Sequence, residues 1–92
     1  MTLTKQQIRD FRSRAHHLRP VLMIGEKGVT ENVMAELDRV LEDHELIKVT
    51  IASADRDERK LLTQTLCEAS GAFLIQTIGR ISVLYRKSQK LA

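Results

Sequence analysis

Val21-Leu22-Met23-Ile24-Gly25-Glu26-Lys27-Gly28-Val29-Thr30-Glu31 reads as a strand, a tight loop and the start of a helix. Val21 to Ile24 is a short continuous apolar run bounded by Pro20 and Gly25, the pattern of a buried strand. Gly25-Glu26-Lys27-Gly28 then forms the loop. Thr30 has a side-chain oxygen suited to an N-cap, and the charge of Glu31 suits the positive first turn of a helix. Val33, Met34, Leu37, Val40 and Leu41 follow at helical spacing and predict a helix over residues 31–43. A buried strand feeding a helix through a short loop places the chain among the α/β folds.

Upstream, Ile8, Phe11, Ala15 and Leu18 recur at steps of three and four, which predicts a first helix over residues 4–18, ended by Pro20. Downstream, Leu46, Ile47, Val49 and Ile51 mark a second strand over 46–52. Asp55 to Glu58 has the form of a capping box, with Asp55 as the cap and Glu58 reaching back. Leu61, Leu62, Leu66 and Ala69 carry a third helix to Gly71. Phe73 to Ile78 and Ile81 to Arg86 are strands joined by Gly79-Arg80, a two-residue turn with glycine first. The expected fold is a compact α-β-α-β-α-β-β domain. Helix-containing connections imply parallel pairing of the early strands and the hairpin adds an antiparallel pair, so the four-stranded sheet is mixed. A chain of 92 residues is one domain, spanning 1–92, with Lys87 to Ala92 expected to fray.

With 42% hydrophobic and 29% charged residues, the chain can fold around a core and is not a disordered segment. Its single cysteine, Cys67, forms no internal disulfide. The opening Met1 to Gln7 holds no apolar signal core, and no apolar run approaches a membrane span, so a cytoplasmic protein without a membrane partner is expected. Net charge is +3, but its distribution says more: residues 1–28 balance at +4, 29–58 at −6 and 59–92 at +5. Basic and acidic residues segregated in this way steer a polyanion toward one face.

Two features point to that polyanion. A loop between a strand and a helix N-terminus presents backbone N–H groups to an anion, its glycines let a phosphate approach the main chain, and Lys27 adds a charge. KH domains clamp a nucleic-acid backbone with such a Gly-x-x-Gly loop. Glu26 works against a simple anion cradle. Lys5, Arg9, Arg12, His16 and Arg19, at steps of four, three, four and three, form a cationic stripe beside the apolar stripe of the first helix, interrupted only by Asp10. Arg80 in the hairpin turn, and Arg86, Lys87 and Lys90 near the C-terminus, extend the footprint.

Other chemistry finds no support. The loop is too short for a P-loop and lacks the dinucleotide-binding glycine spacing. His16, His17, His44 and Cys67 do not have zinc-site spacing, and Glu42, Asp43 and Glu45 lack a calcium-loop pattern. No serine sits in a nucleophile elbow, so neither an enzyme nor a cofactor is expected. Phe11, Phe73 and Tyr85 are too few for the stacking sheet of an RRM, so recognition rests on backbone, shape and 2′-hydroxyl contacts. An alternative reading is a protein-interaction module working through the acidic segment Glu36 to Glu45.

The run Leu22 to Val33, the block Leu41-Glu42-Asp43-His44-Glu45-Leu46-Ile47-Lys48-Val49 and the ending Thr77 to Arg86 together resemble the YhbY-like, or CRM-domain, proteins. The segments Leu3 to Arg9 and Ala15 to Pro20 are similar to that family too, so the resemblance spans nearly the whole chain. It implies a stand-alone bacterial member with a fold similar to the C-terminal domain of translation initiation factor three. It also implies an RNA-binding protein acting on ribosomal RNA in precursors of the large ribosomal subunit. Apart from the resemblance, a monomer is expected, with acidic and basic faces able to engage ribosomal proteins and RNA respectively. The family's RNA-binding loop maps onto Gly25, Glu26, Lys27 and Gly28. At the position of Glu26 the family often has a basic or neutral residue.

Overall fold

A computed structural model describes residues 2–89. The elements run α1 (Lys5–Ala15), β1 (Pro20–Ile24), α2 (Glu31–His44), β2 (Leu46–Ile51), α3 (Arg56–Ser70), β3 (Phe73–Ile78) and β4 (Ile81–Tyr85). The strands form one mixed sheet in the order β1-β2-β4-β3. β1 pairs parallel to β2, while β4 is antiparallel to both β2 and β3. The hairpin thus returns into the middle of the sheet and β3 becomes one edge; β1 is the other, so it is not the buried strand its apolar run predicts, with Val21 and Met23 exposed and Ile24 alone buried.

Each face of the sheet carries its own core. On one face, Phe11 and Ala15 of α1 pack with Leu46, Ile75 and Val83. On the other, Leu37, Val40 and Leu41 of α2 and Leu66 of α3 pack with Ile24, Ile47, Val49, Ile51 and Leu84. Strand alternation assigns the faces: Leu46 looks toward α1, whereas Ile47, Val49 and Ile51 at every second position thereafter look toward α2 and α3. Phe11 is the anchor of the α1 face. Its ring stacks on Tyr85 with centroids 4.1 Å apart, and Arg14 stands 5.3 Å over the same ring.

The caps differ in part from the sequence expectation. α1 starts with a capping box: Thr4 Oγ1 accepts the Gln7 N–H at 3.1 Å, and Gln7 Oε1 accepts the Thr4 N–H at 2.8 Å. The helix ends at Ala15 rather than at residue 18, because the chain tightens there: Leu18 N–H donates to the Ala15 carbonyl at 3.0 Å, an i to i+3 bond. α3 has no capping box. Asp55 accepts from Asp57 and Glu58 as expected, but Ser53 Oγ, not Glu58, takes the Asp55 N–H. The inward face of α3 is also rotated. Leu61 is 63% exposed and Ala69 is exposed, whereas Thr63 is buried. Thr63 can sit there because its hydroxyl pairs with that of Ser82 on β4 at 3.0 Å.

The C-terminal segment is tied down further than its composition suggests. The Arg86 guanidinium reaches the Asp38 carboxylate at 2.7 Å, the Ser70 carbonyl at 3.0 Å, the Glu42 carboxylate at 3.2 Å and the Asp38 carbonyl at 3.3 Å. Ser88, expected to fray, is buried; its N–H donates to the Glu45 carboxylate and its hydroxyl to the Glu42 carbonyl, both at 2.7 Å. The fraying expected of 90–92 lies outside the described residues. Glu45 itself caps α2 with φ 64° and ψ −52°, a positive-φ conformation outside the left-handed helical region, held by its N–H to the Leu41 carbonyl and its carbonyl to the Arg86 N–H.

Two outcomes follow for thermal or urea unfolding. Phe11→Ala empties the anchor of one core and costs about 3–5 kcal/mol. Arg86→Ala leaves partly buried carboxylate and carbonyl groups without their donor and costs about 2 kcal/mol; an unchanged midpoint would show that the clamp contributes nothing.

Candidate nucleic-acid interface

The glycine loop is a β-turn closed by the Gly28 N–H donating to the Gly25 carbonyl at 3.0 Å. Its two glycines have different roles. Gly28 has φ +70° and a Cβ there would meet Leu62 Cδ2 at 3.6 Å, so this position serves the turn. Gly25 needs no left-handed conformation, and a Cβ there would find nothing within 4 Å. Glu26 and Lys27 form an exposed tip, Val29 packs against the core, and Thr30 Oγ1 caps α2 by accepting the Val33 N–H at 3.1 Å.

Two hydrogen bonds bring the hairpin turn to the same end of the sheet. Ala52 N–H donates to the Ile24 carbonyl at 2.9 Å, and Ile51 N–H to the Arg80 carbonyl at 2.7 Å. Gly79 supplies φ +58° at the first turn position, and Arg80 is exposed. The glycine loop, the start of α3 and Arg80 therefore share one rim.

The cations of α1 lie elsewhere. Lys5, Arg9, Arg12, His16 and Arg19 are all exposed, but α1 covers the face opposite α2 and α3. Arg19 precedes β1 and Gly25 follows it, so about 20 Å of extended chain separates them at ~3.3 Å per residue. Among the described residues no carboxylate pairs with Lys5, Arg9, Arg12 or Arg19, and Asp10 is occupied by the Gln6 amide at 3.1 Å.

Arg86 joins neither group, since Asp38 and Glu42 hold it. Lys87 is exposed, and Lys90 lies outside the described residues. The acidic segment is largely engaged in the fold. Arg39 bonds Glu36 and Asp43, Arg86 takes Asp38 and Glu42, and Glu45 receives Ser88. The hydrogen bond from Arg39 holds the Glu36 carboxyl below its ordinary pKa.

Sequence reading missed a further set of cations. Arg56, Arg59 and Lys60 line a cavity of about 680 Å³ between α3 and the β3–β4 hairpin. Arg56 and Lys60 are four residues apart on one helix side, a signal obscured by the neighbouring acids Asp55, Asp57 and Glu58. Burial, with a smaller effect of Glu68, pushes the Cys67 thiol up, which leaves it protonated and unreactive at neutral pH. Among the described residues no group of three or more His, Cys, Asp or Glu could hold a metal ion, and no helix is long and apolar enough to cross a membrane.

Known proteins are similar to this chain in sequence and in fold. The chain is 51% identical over 90 residues to a protein of Pseudomonas aeruginosa named "probable RNA-binding protein", covering 98% of this chain and 86% of that one. It is 45% identical over 89 residues to an "RNA-binding protein" of Haemophilus influenzae, covering 97% and 90%. The solution structure of a hypothetical protein from Staphylococcus aureus superposes with a TM-score of 0.83 at 42% identity, over 96% of this chain and 92% of that one. The CRS1 / YhbY (CRM) domain model matches residues 3–86, and the chain belongs to that family.

Proposed function

We propose that this protein binds RNA without catalysing a reaction on it, holding ribosomal RNA in precursors of the large subunit and aiding their assembly in the cytoplasm. The observation that carries this reading is an imbalance in how charge is used. Four of the five acids of α2 meet Arg39 or Arg86, while Lys5, Arg9 and Arg12 of α1 and Lys27 at the loop tip have no carboxylate partner among the described residues. A surface left with unneutralised cations attracts a polyanion by releasing its condensed counterions. The RNA-binding names of the Pseudomonas and Haemophilus relatives support the same partner.

Lys27, Arg80 and the backbone of Gly25 and Gly28 contact phosphates at the rim. Lys5, Arg9, Arg12, His16 and Arg19 contact a second stretch of backbone on the α1 face. The open space at Gly25 serves close approach of the ligand, whereas Gly28 serves the turn.

Anisotropy titrations with structured ribosomal RNA fragments at several salt concentrations test these roles. Gly25→Ala leaves the unfolding midpoint unchanged yet weakens binding, because the new methyl group meets RNA and not protein; unchanged affinity would remove the glycine loop from the interface. Arg9→Ala/Arg12→Ala weakens binding to most RNAs alike, and flattens the plot of log affinity against log salt by about 2 if each arginine neutralises one phosphate. Sedimentation of cell lysate through sucrose gradients tests the ribosomal part. Co-migration with large-subunit particles that disappears as salt rises is expected, and retention at the top of a low-salt gradient would refute it.

A further inference from the structure

On the face that α2 and α3 cover, two helices do not span four strands, and the uncovered part of that face lies at β3. Leu74 pairs with Leu84, which is fully buried under α2 and α3, so Leu74 faces the same side, yet it is 46% exposed. Thr77 pairs with Ser82, whose hydroxyl bonds Thr63 of α3, so Thr77 also faces α3. These two side chains floor the cavity of about 680 Å³, and Arg56, Lys60 and Gln64, spaced i, i+4 and i+8, form its helical wall. Arg59 lines it as well, its guanidinium fixed by the Ser53 carbonyl at 2.8 Å, and Asp57 is its one acid. Gly79 stands at one end, beside the exposed Arg80.

We propose that this groove is a second RNA site, one that takes a single strand. The inference rests on the RNA-binding reading above and adds a surface distinct from α1. Charge selects the polyanion: Arg56, Arg59 and Lys60 outnumber Asp57, and Arg80 adds to them at the mouth. The apolar floor selects the single strand. A duplex keeps its bases stacked inside and offers a convex wall of phosphates, so Leu74 would gain nothing from it. An unpaired strand puts its phosphates against Arg56 and Lys60 while a base lies on Leu74, within reach of the Gln64 amide and the Thr77 hydroxyl. The groove also connects to the glycine loop around the start of α3. Gly28 packs beside Leu62, about 200° around the helix from Lys60, so loop and groove flank α3 on opposite sides. A strand crossing the first turn of α3 passes from Lys27 to Arg56.

The test uses a labelled 12-nucleotide oligouridine and a 12-base-pair RNA duplex, with the parent chain and the variant Arg56→Ala/Lys60→Ala. Both residues are exposed, so the variant folds. Expected is a loss of about tenfold in oligouridine affinity and a salt slope flatter by about 1.4 for two phosphate contacts on a single strand, with duplex affinity unchanged. Parent-like oligouridine binding would overturn the groove while leaving the RNA reading intact. An equal loss for both RNAs would reduce these residues to general cations and also overturn it. Loss of binding to polyglutamate without loss to oligouridine would assign the groove to an acidic protein segment instead. Failure of the parent chain to bind either RNA would remove the RNA reading and the groove with it.

Discussion

The antiparallel ladder that pairs Leu46 with Tyr85 and Thr50 with Ile81 decides where everything else can go. By pairing with β2, β4 becomes a central strand and must be covered on both sides. That is why Val83 and Leu84, neighbours in sequence, are both buried, one under α1 and the other under α2 and α3. The same ladder carries the Gly79-Arg80 turn to the end of β2, where Arg80 meets Ile51. At the other end it leaves Tyr85 under Phe11 and delivers Arg86 to the acids of α2. A hairpin placed outside β3 would have met none of these partners.

Much of this domain can be read from spacing alone. The seven elements appear in the expected order, the β1-α2-β2 unit is parallel, and the two-residue turn at Gly79-Arg80 joins an antiparallel pair. The Thr30 cap and the left-handed Gly71 also stand where the residues suggested. What could not be read depends on partners far apart in the chain. Short apolar runs show that strands exist but not which strand each will join, so the central place of β4 was hidden. Arg86 looked like one more C-terminal cation because its acceptors, Asp38, Glu42 and Ser70, are distant in sequence. Thr63 is not among the apolar residues that predict α3, because its inward position requires the Ser82 hydroxyl, a contact across 19 residues.

The candidate site divides along the same line. The glycine loop and the α1 stripe are local patterns, and the structure keeps both exposed. Their separation is a property of the sheet: α1 lies on one face, and the loop turns toward the other. The two glycines likewise look equivalent in sequence. Only in the fold does Gly28 acquire a positive φ and a neighbour in Leu62 while Gly25 faces open space.

The acidic middle of the chain gives this arrangement its electrical logic. A segment with six more acids than cations, set inside a basic chain, would repel the same RNA that the ends attract. The fold reduces that repulsion by pairing the acids internally. Arg39 serves Glu36 and Asp43, and Arg86 crosses from the last strand to serve Asp38 and Glu42. The exposed Arg39 pairs contribute little to stability, so the consequence of that pairing lies more in the field than in the fold, whereas the half-buried Arg86 clamp serves both. The two guanidiniums offset two of the four carboxylate charges on α2 as seen from outside, at the cost of two arginines that then cannot reach a ligand. Positive potential remains where no carboxylate answers it, on α1 and at the loop tip, and those are the places where a phosphate backbone gains most by replacing its counterions.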